Sequence, residues 1–83
     1  MKAKVYVTLQ SGVHDPQGEA VLGTLKHLGF EGVKGARVGK YIELNLNDMS
    51  KEQAQSQVRA MCEKLLANTV IESYSFEIGD DRK

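Results

Sequence analysis

The 83-residue sequence predicts an α+β domain of two layers, in which two helices cover one face of a four-stranded antiparallel sheet, in the order β-α-β-β-α-β. Three observations predict it. Hydrophobic spacing switches four times between a period of two and a helical period. Both helical stretches carry their own start signals, Asp15-Pro16 and Ser50 with Gln53. Gly39-Lys40 separates two adjacent alternating stretches, as a Gly-X hairpin turn does.

Lys2 to Gln10 alternates, with Ala3, Val5, Val7 and Leu9 on one face and Tyr6 on the other, so a half-buried strand is expected. Ser11 to His14 reads as a loop. Asp15 then caps free amides, and Pro16 suits the first helical position because it has no amide to satisfy. Val21, Leu25 and Leu28 fall at helical spacing beside Leu22. Gly29 fits a left-handed stop, with Phe30 folding back toward Leu25. Gly32 to Val38 is a weaker strand and Tyr41 to Leu46 a stronger one. A two-residue turn between them sets Val38 opposite Tyr41, away from Ile42. Either Val38 and Tyr41 pack on the second face, or Gly39 sits in a bulge that shifts the register. Ser50 and Gln53 form a capping box for a helix whose apolar stripe is Ala54, Val58, Met61 and Leu65, widened by Leu66. Val70 to Ile78 is the last strand. Expected core positions are Val5, Val7, Leu25, Ile42, Leu44, Val58 and Leu65. A split sheet of this order, with its two crossover helices, describes the ferredoxin-like sandwich. Its second face has no helix left to cover it and is expected to be solvent-exposed or an interface, with Tyr6, Tyr41 and Val38 as candidates to lie there.

Residues 1–79 read as one domain and 80–83 as a charged tail. A chain this short buries roughly 60–65% of its unfolded surface, so a partner subunit adds useful stability. Eleven Lys and Arg balance eleven Asp and Glu. A neutral chain lacks the basic footprint of nucleic-acid or anionic-membrane binders. No apolar run reaches the ~18–20 residues of a membrane span. The single cysteine, Cys62, has no internal disulfide mate, so the expected location is cytoplasmic.

No catalytic, cofactor-binding or metal-binding residue emerges. His14 and Asp15 are neighbours, but a helix cap beside a solvated loop residue explains them. His27 lies in a last helical turn, where a cation suits the dipole. Cys62 sits at the edge of an apolar stripe, as a buried inert thiol does. Gly29, Gly32, Gly35 and Gly39 lack the following helix that a phosphate loop needs. RNA binding through Tyr6 and Tyr41 is disfavoured by Glu43 and by the neutral charge. An acylphosphatase-like site lacks the arginine expected in the first loop. A ligand-sensing regulatory domain remains compatible with Gly12 in that loop. Lys34, Arg37 and Lys40 form the one local basic cluster, either a solvated edge or a contact for an acidic partner.

Four blocks, Asp15-Pro16-Gln17-Gly18-Glu19-Ala20-Val21, Arg37-Val38-Gly39-Lys40-Tyr41-Ile42-Glu43-Leu44, Met61 to Asn68, and Val70-Ile71-Glu72-Ser73-Tyr74, resemble the PurS subunit family of phosphoribosylformylglycinamidine synthase. The likeness spans almost the whole chain, departing where the family often has proline (here Thr69) and an apolar residue (here His14). It implies a non-catalytic subunit of a glutamine-hydrolysing, ATP-dependent ligase complex in purine biosynthesis. PurQ would release ammonia from glutamine. PurL, holding ATP and magnesium, would transfer it to formylglycinamide ribonucleotide. PurS would bridge the two and pair with itself as a dimer or higher oligomer. The resemblance and the hairpin cluster together nominate Arg37, Gly39, Lys40 and Tyr41, with Tyr6 on the open face, as partner-facing residues.

Overall fold

In the computed structural model, which describes residues 1–79, β1 (Lys2–Leu9) is the middle strand of the sheet. It pairs antiparallel with β2 (Lys40–Asn45) on one side and with β3 (Glu72–Gly79) on the other. The sheet therefore has three strands in the order β2-β1-β3, where the sequence predicts four. The predicted tail over 80–83 lies outside the described residues.

Alternation along β1 sends Ala3, Val5 and Val7 to one face, and all three are buried. The helix α2 (Lys51–Met61) lies over them and brings Ala54 and Val58, followed directly by Cys62, and all three are buried. Tyr74, Phe76 and Ile78 of β3 and Ile42 and Leu44 of β2 flank this core, half-buried. The capping box of α2 is complete: Gln53 N donates to Ser50 Oγ at 3.1 Å, and Ser50 N donates to Gln53 Oε1 at 3.3 Å.

Three expectations need correcting. The first is the strand over Gly32 to Val38, together with its hairpin turn. No turn forms at Gly39-Lys40, and Gly39 lacks the positive φ that a first-position glycine of such a turn requires. Instead the chain runs straight through. Ala36, Val38, Ile42, Leu44 and Leu46 are half-buried, while Arg37, Gly39, Tyr41, Glu43 and Asn45 are exposed. The register ambiguity therefore dissolves, because Val38 and Ile42 share one face of a continuous extended path.

The second correction is the helix layer. Among the described residues, α2 is the helix that packs on the sheet, and α1 (Pro16–His27) makes at most slight contact with any strand. Helix α1 starts and stops as its sequence dictates. Asp15 accepts from Gly18 N at 2.9 Å. Gly29, at φ +102°, lets Gly29 N and Phe30 N reach the carbonyls of Lys26 and Leu25, both at 3.0 Å. Its start lies against the returning segment rather than the sheet, since a β-carbon on Gly18 would collide with the Ala36 carbonyl. Residues 10–39 thus form an arm that leaves the sheet after Leu9 and returns at Lys40. Val21, Leu28 and Phe30 on it are 43%, 66% and 57% exposed. The Cα radius of gyration is 16.1 Å, against about 12 Å for a compact chain of this length.

The third correction is Leu65, which is 81% exposed. After Met61 the helix widens into a π segment, Cys62–Leu66, closed by the bond from Ala67 N to the Cys62 carbonyl at 3.1 Å. The wider turn shifts the stripe by one position. Cys62 and half-buried Leu66 face inward, and Leu65 turns out.

Candidate subunit interface

Two surfaces gather the residues nominated from the sequence. The first is the root of the arm. Asp15 does double duty there: one carboxylate oxygen caps α1 at Gly18 N, and the other accepts from Val38 N at 3.1 Å. These two backbone amides hold the Asp15 carboxyl below its ordinary value of 3.8, assisted by Arg37 and His14 nearby. The Arg37 guanidinium donates to the Leu9 carbonyl, where β1 ends. Gly39 passes so close under Val7 that a β-carbon would strike the Val7 carbonyl and, at 2.8 Å, the Thr8 methyl. Lys40 Nζ donates to the Leu66 carbonyl at 3.1 Å and lies 3.9 Å from the Glu72 carboxylate. Arm, sheet and π segment are thereby tied together around an open cleft of about 390 Å³, lined by Leu9, Asp15, Gln17, Val38, Lys40 and Glu72 among others.

The second surface is the sheet face opposite α2. Tyr6 and Tyr41 are direct cross-strand neighbours with ring centroids 5.5 Å apart. Such aromatic pairs stabilise strand pairing. The Tyr41 hydroxyl donates to Glu43 Oε2 at 2.8 Å, which pushes the phenol up to about 12 and draws the Glu43 carboxyl down. Lys2 Nζ adds an ion pair to Glu43 at 3.7 Å. Lys4 stands between Glu43 and Glu77 in the strand register. The face is thus a tyrosine pair, 37% and 52% exposed, bordered by charges of both signs.

Arg37, Gly39 and Lys40 meet at the arm root, while Tyr6 and Tyr41 meet on the open sheet face. The two sets adjoin through the Lys40-Tyr41 step without forming a single patch. Arg37 and Lys40 are less free than a basic cluster suggests, because both bind carbonyls of their own chain. Asp15 has a role beyond its cap, which sequence spacing does not reveal: its bond to Val38 links residues 23 apart. Gln10 likewise donates to the carbonyls of Thr69 and Glu72 at 3.0 and 3.2 Å, fixing the turn before β3. Among the described residues, no group of three or more His, Cys, Asp or Glu could hold a metal ion, and no helix is long and apolar enough to cross a membrane. Burial raises the Cys62 thiol above its ordinary value.

The family model of PurS, phosphoribosylformylglycinamidine (FGAM) synthase, matches residues 2–80. The chain is 52% identical over 75 residues to the phosphoribosylformylglycinamidine synthase subunit PurS of Synechocystis, covering 90% of this chain and 75% of that one. To the same subunit of Bacillus subtilis it is 48% identical, covering 95% and 93%. Among solved structures it resembles Methanocaldococcus jannaschii PurS, described as one of the subunits of formylglycinamide ribonucleotide amidotransferase. That likeness has a TM-score of 0.87 at 34% identity, with 98% of each chain covered. A chain in the structure of PurLQS from Thermotoga maritima matches with a TM-score of 0.84 at 37% identity, over 92% and 93%.

Proposed function

This chain belongs to the PurS family of FGAM synthase, and on that premise we propose that it is the non-catalytic subunit that joins the PurQ glutaminase to the PurL synthase. The observation that carries this reading is the family match along residues 2–80. A PurS chain from Thermotoga maritima is found with PurL and PurQ in one structure, which supports the same partners here. The exposed arm and the open tyrosine face supply two separate surfaces, as a bridge requires.

The chemical need for a bridge lies in the transferred molecule. PurQ would release ammonia from glutamine, and PurL, with ATP and magnesium, would add it to formylglycinamide ribonucleotide. Ammonia exposed to neutral water becomes ammonium and loses the lone pair that makes it a nucleophile. A sheltered junction between the two active sites preserves its reactivity. The chain's contribution would be alignment of those sites. Arg37, Gly39, Lys40 and Tyr41, with Tyr6, form the partner-facing set in this reading. The chain also pairs with itself, in the cytoplasm.

The test compares glutamine-dependent with ammonia-dependent FGAM synthesis by PurL and PurQ, with and without this chain. The expected result is a glutamine-dependent rate that needs the chain and an ammonia-dependent rate that does not. No effect on either rate overturns the adaptor role. An Arg37→Ala/Lys40→Ala double variant, folded by circular dichroism, should retain less PurL and PurQ in a pull-down. Unchanged retention removes these two residues from the interface.

A further inference from the structure

The end of α2 departs from what its own spacing favours. At about 3.6 residues per turn, Leu65 falls on the stripe of Val58, seven residues after it. In the π segment Leu65 is instead 81% exposed, and Leu66 packs against the buried cluster. Two adjacent leucines thus share one site: an α register seats Leu65 there, and the π register seats Leu66. Either register buries a leucine, so polar ties decide between them. Three ties hold the π register. Ala67 N donates to the Cys62 carbonyl at 3.1 Å, the bond that closes the wide turn. Lys40 Nζ, reaching across from β2, donates to the Leu66 carbonyl at 3.1 Å, one of the last carbonyls of the helix and so without an intrahelical partner. Glu72 Oε1 accepts from Asn68 N at 2.7 Å and lies 3.9 Å from Lys40 Nζ.

We propose that the end of α2 is a two-register switch latched by Lys40. With Lys40 on the Leu66 carbonyl, the segment is π and Leu65 is presented outward. With Lys40 drawn off, the segment tightens to α, Leu65 rotates into the core and Leu66 rotates out. The turn over 67–71 takes up the one-residue slack; Asn68 bonds hold it, and Val70 within it is 81% exposed. Of the three ties, Lys40 is the one that can be captured from outside. Its side chain is 54% exposed, against 19% for Glu72, and the remaining bond is backbone. The signal, which rests on the partner-facing place of Lys40 put forward above, is a carboxylate on a partner subunit. A carboxylate holds an ammonium group more strongly than a neutral carbonyl does, and so releases the latch. The coupling is reciprocal: whatever takes Lys40 withdraws Leu65, and whatever covers the outward Leu65 tightens Lys40 on its carbonyl. Packed cores move between discrete arrangements, and π turns within α-helices are frequent at functional sites.

The experiment is methyl NMR of the full chain labelled at leucine and valine. In the wild type, the Leu66 methyls should show NOEs to the buried valines and the Leu65 methyls none. Lys40→Met keeps the stem and removes the donor. The expected result is that Leu65 gains those NOEs and Leu66 loses them. A folded Lys40→Met chain with the wild-type pattern overturns the latch. Leu66→Ala covers a Lys40→Met chain that fails to fold. It removes the side chain that the π register alone seats, so Leu65 should again gain the NOEs. Leu65 methyls left without them overturn the switch. Unlabelled PurL and PurQ are then added to the wild type, with binding followed by pull-down. Bound partners with Leu65 turned inward support release by a partner carboxylate. Bound partners with the wild-type pattern overturn that release. Failure of both to bind overturns the adaptor reading and the signal with it, while the two variants still decide the switch.

Discussion

Asp15 shows how one side chain serves two levels of structure. Any Ser, Thr or Asn in its place would cap α1 about as well. Only a group with two acceptors directed apart also reaches Val38 N. Asp15→Ala should leave the sheet and α2 intact while freeing the arm root, seen by NMR as faster exchange of the Val38 amide with little change at Val5 or Val58. The pH dependence has a definite sign. The Asp15 carboxyl is depressed in the folded chain, so its contribution is present above its ordinary value of 3.8 and fades as pH falls through the lower folded value. The Gly18 and Val38 amide shifts should report that loss together. The cap was legible from Asp15-Pro16 alone. The bond to Val38 was not, because nothing local in the sequence indicates which distant amide the second oxygen meets.

At the scale of elements, α2 and its π segment test how far periodicity reaches. Val58 and Leu65 occupy the same stripe when read at 3.6 residues per turn, yet Val58 is fully buried and Leu65 is 81% exposed. Val58→Ala should cost about 2 kcal/mol in urea unfolding, from two methyl groups at ~0.8 kcal/mol each plus the cavity they leave. Leu65→Ala should fall within about 0.5 kcal/mol of the wild type. Near-equal costs at the two sites would contradict the π register. The capping box, the glycine stop of α1 and the alternation of β1 were readable because each depends on neighbours in sequence. The strand expected over Gly32 to Val38 does not form, for the opposite reason. Ala36 to Val38 does alternate, but whether such a segment pairs with its own hairpin mate depends on Gly39, whose path is set by Val7 and by the ties of Arg37 and Val38 across the arm root.

At the scale of the molecule, the candidate interface was only half legible. Its residue types were visible in the sequence, but their division between an arm root and a tyrosine face depends on where the arm leaves the sheet. The extended shape, 48 × 33 × 14 Å, has a thermodynamic signature. If paired copies complete the apolar cover, unfolding releases two chains and mass action applies. The melting temperature should rise by about 4 °C for each tenfold increase in concentration, taking about 0.7 kcal/mol per residue as the unfolding enthalpy over two chains. A melting temperature independent of concentration would count against self-association. The central place of β1 has a consequence for synthesis as well. The strand made first has one neighbour, β3, that is made about seventy residues later. Until residues 72–79 emerge from the ribosome, β1 has only β2 beside it, and a two-stranded ribbon is marginal in water. During that interval Val5 and Val7 wait without their full cover, so the nascent chain offers a chaperone an apolar strand that the finished fold hides.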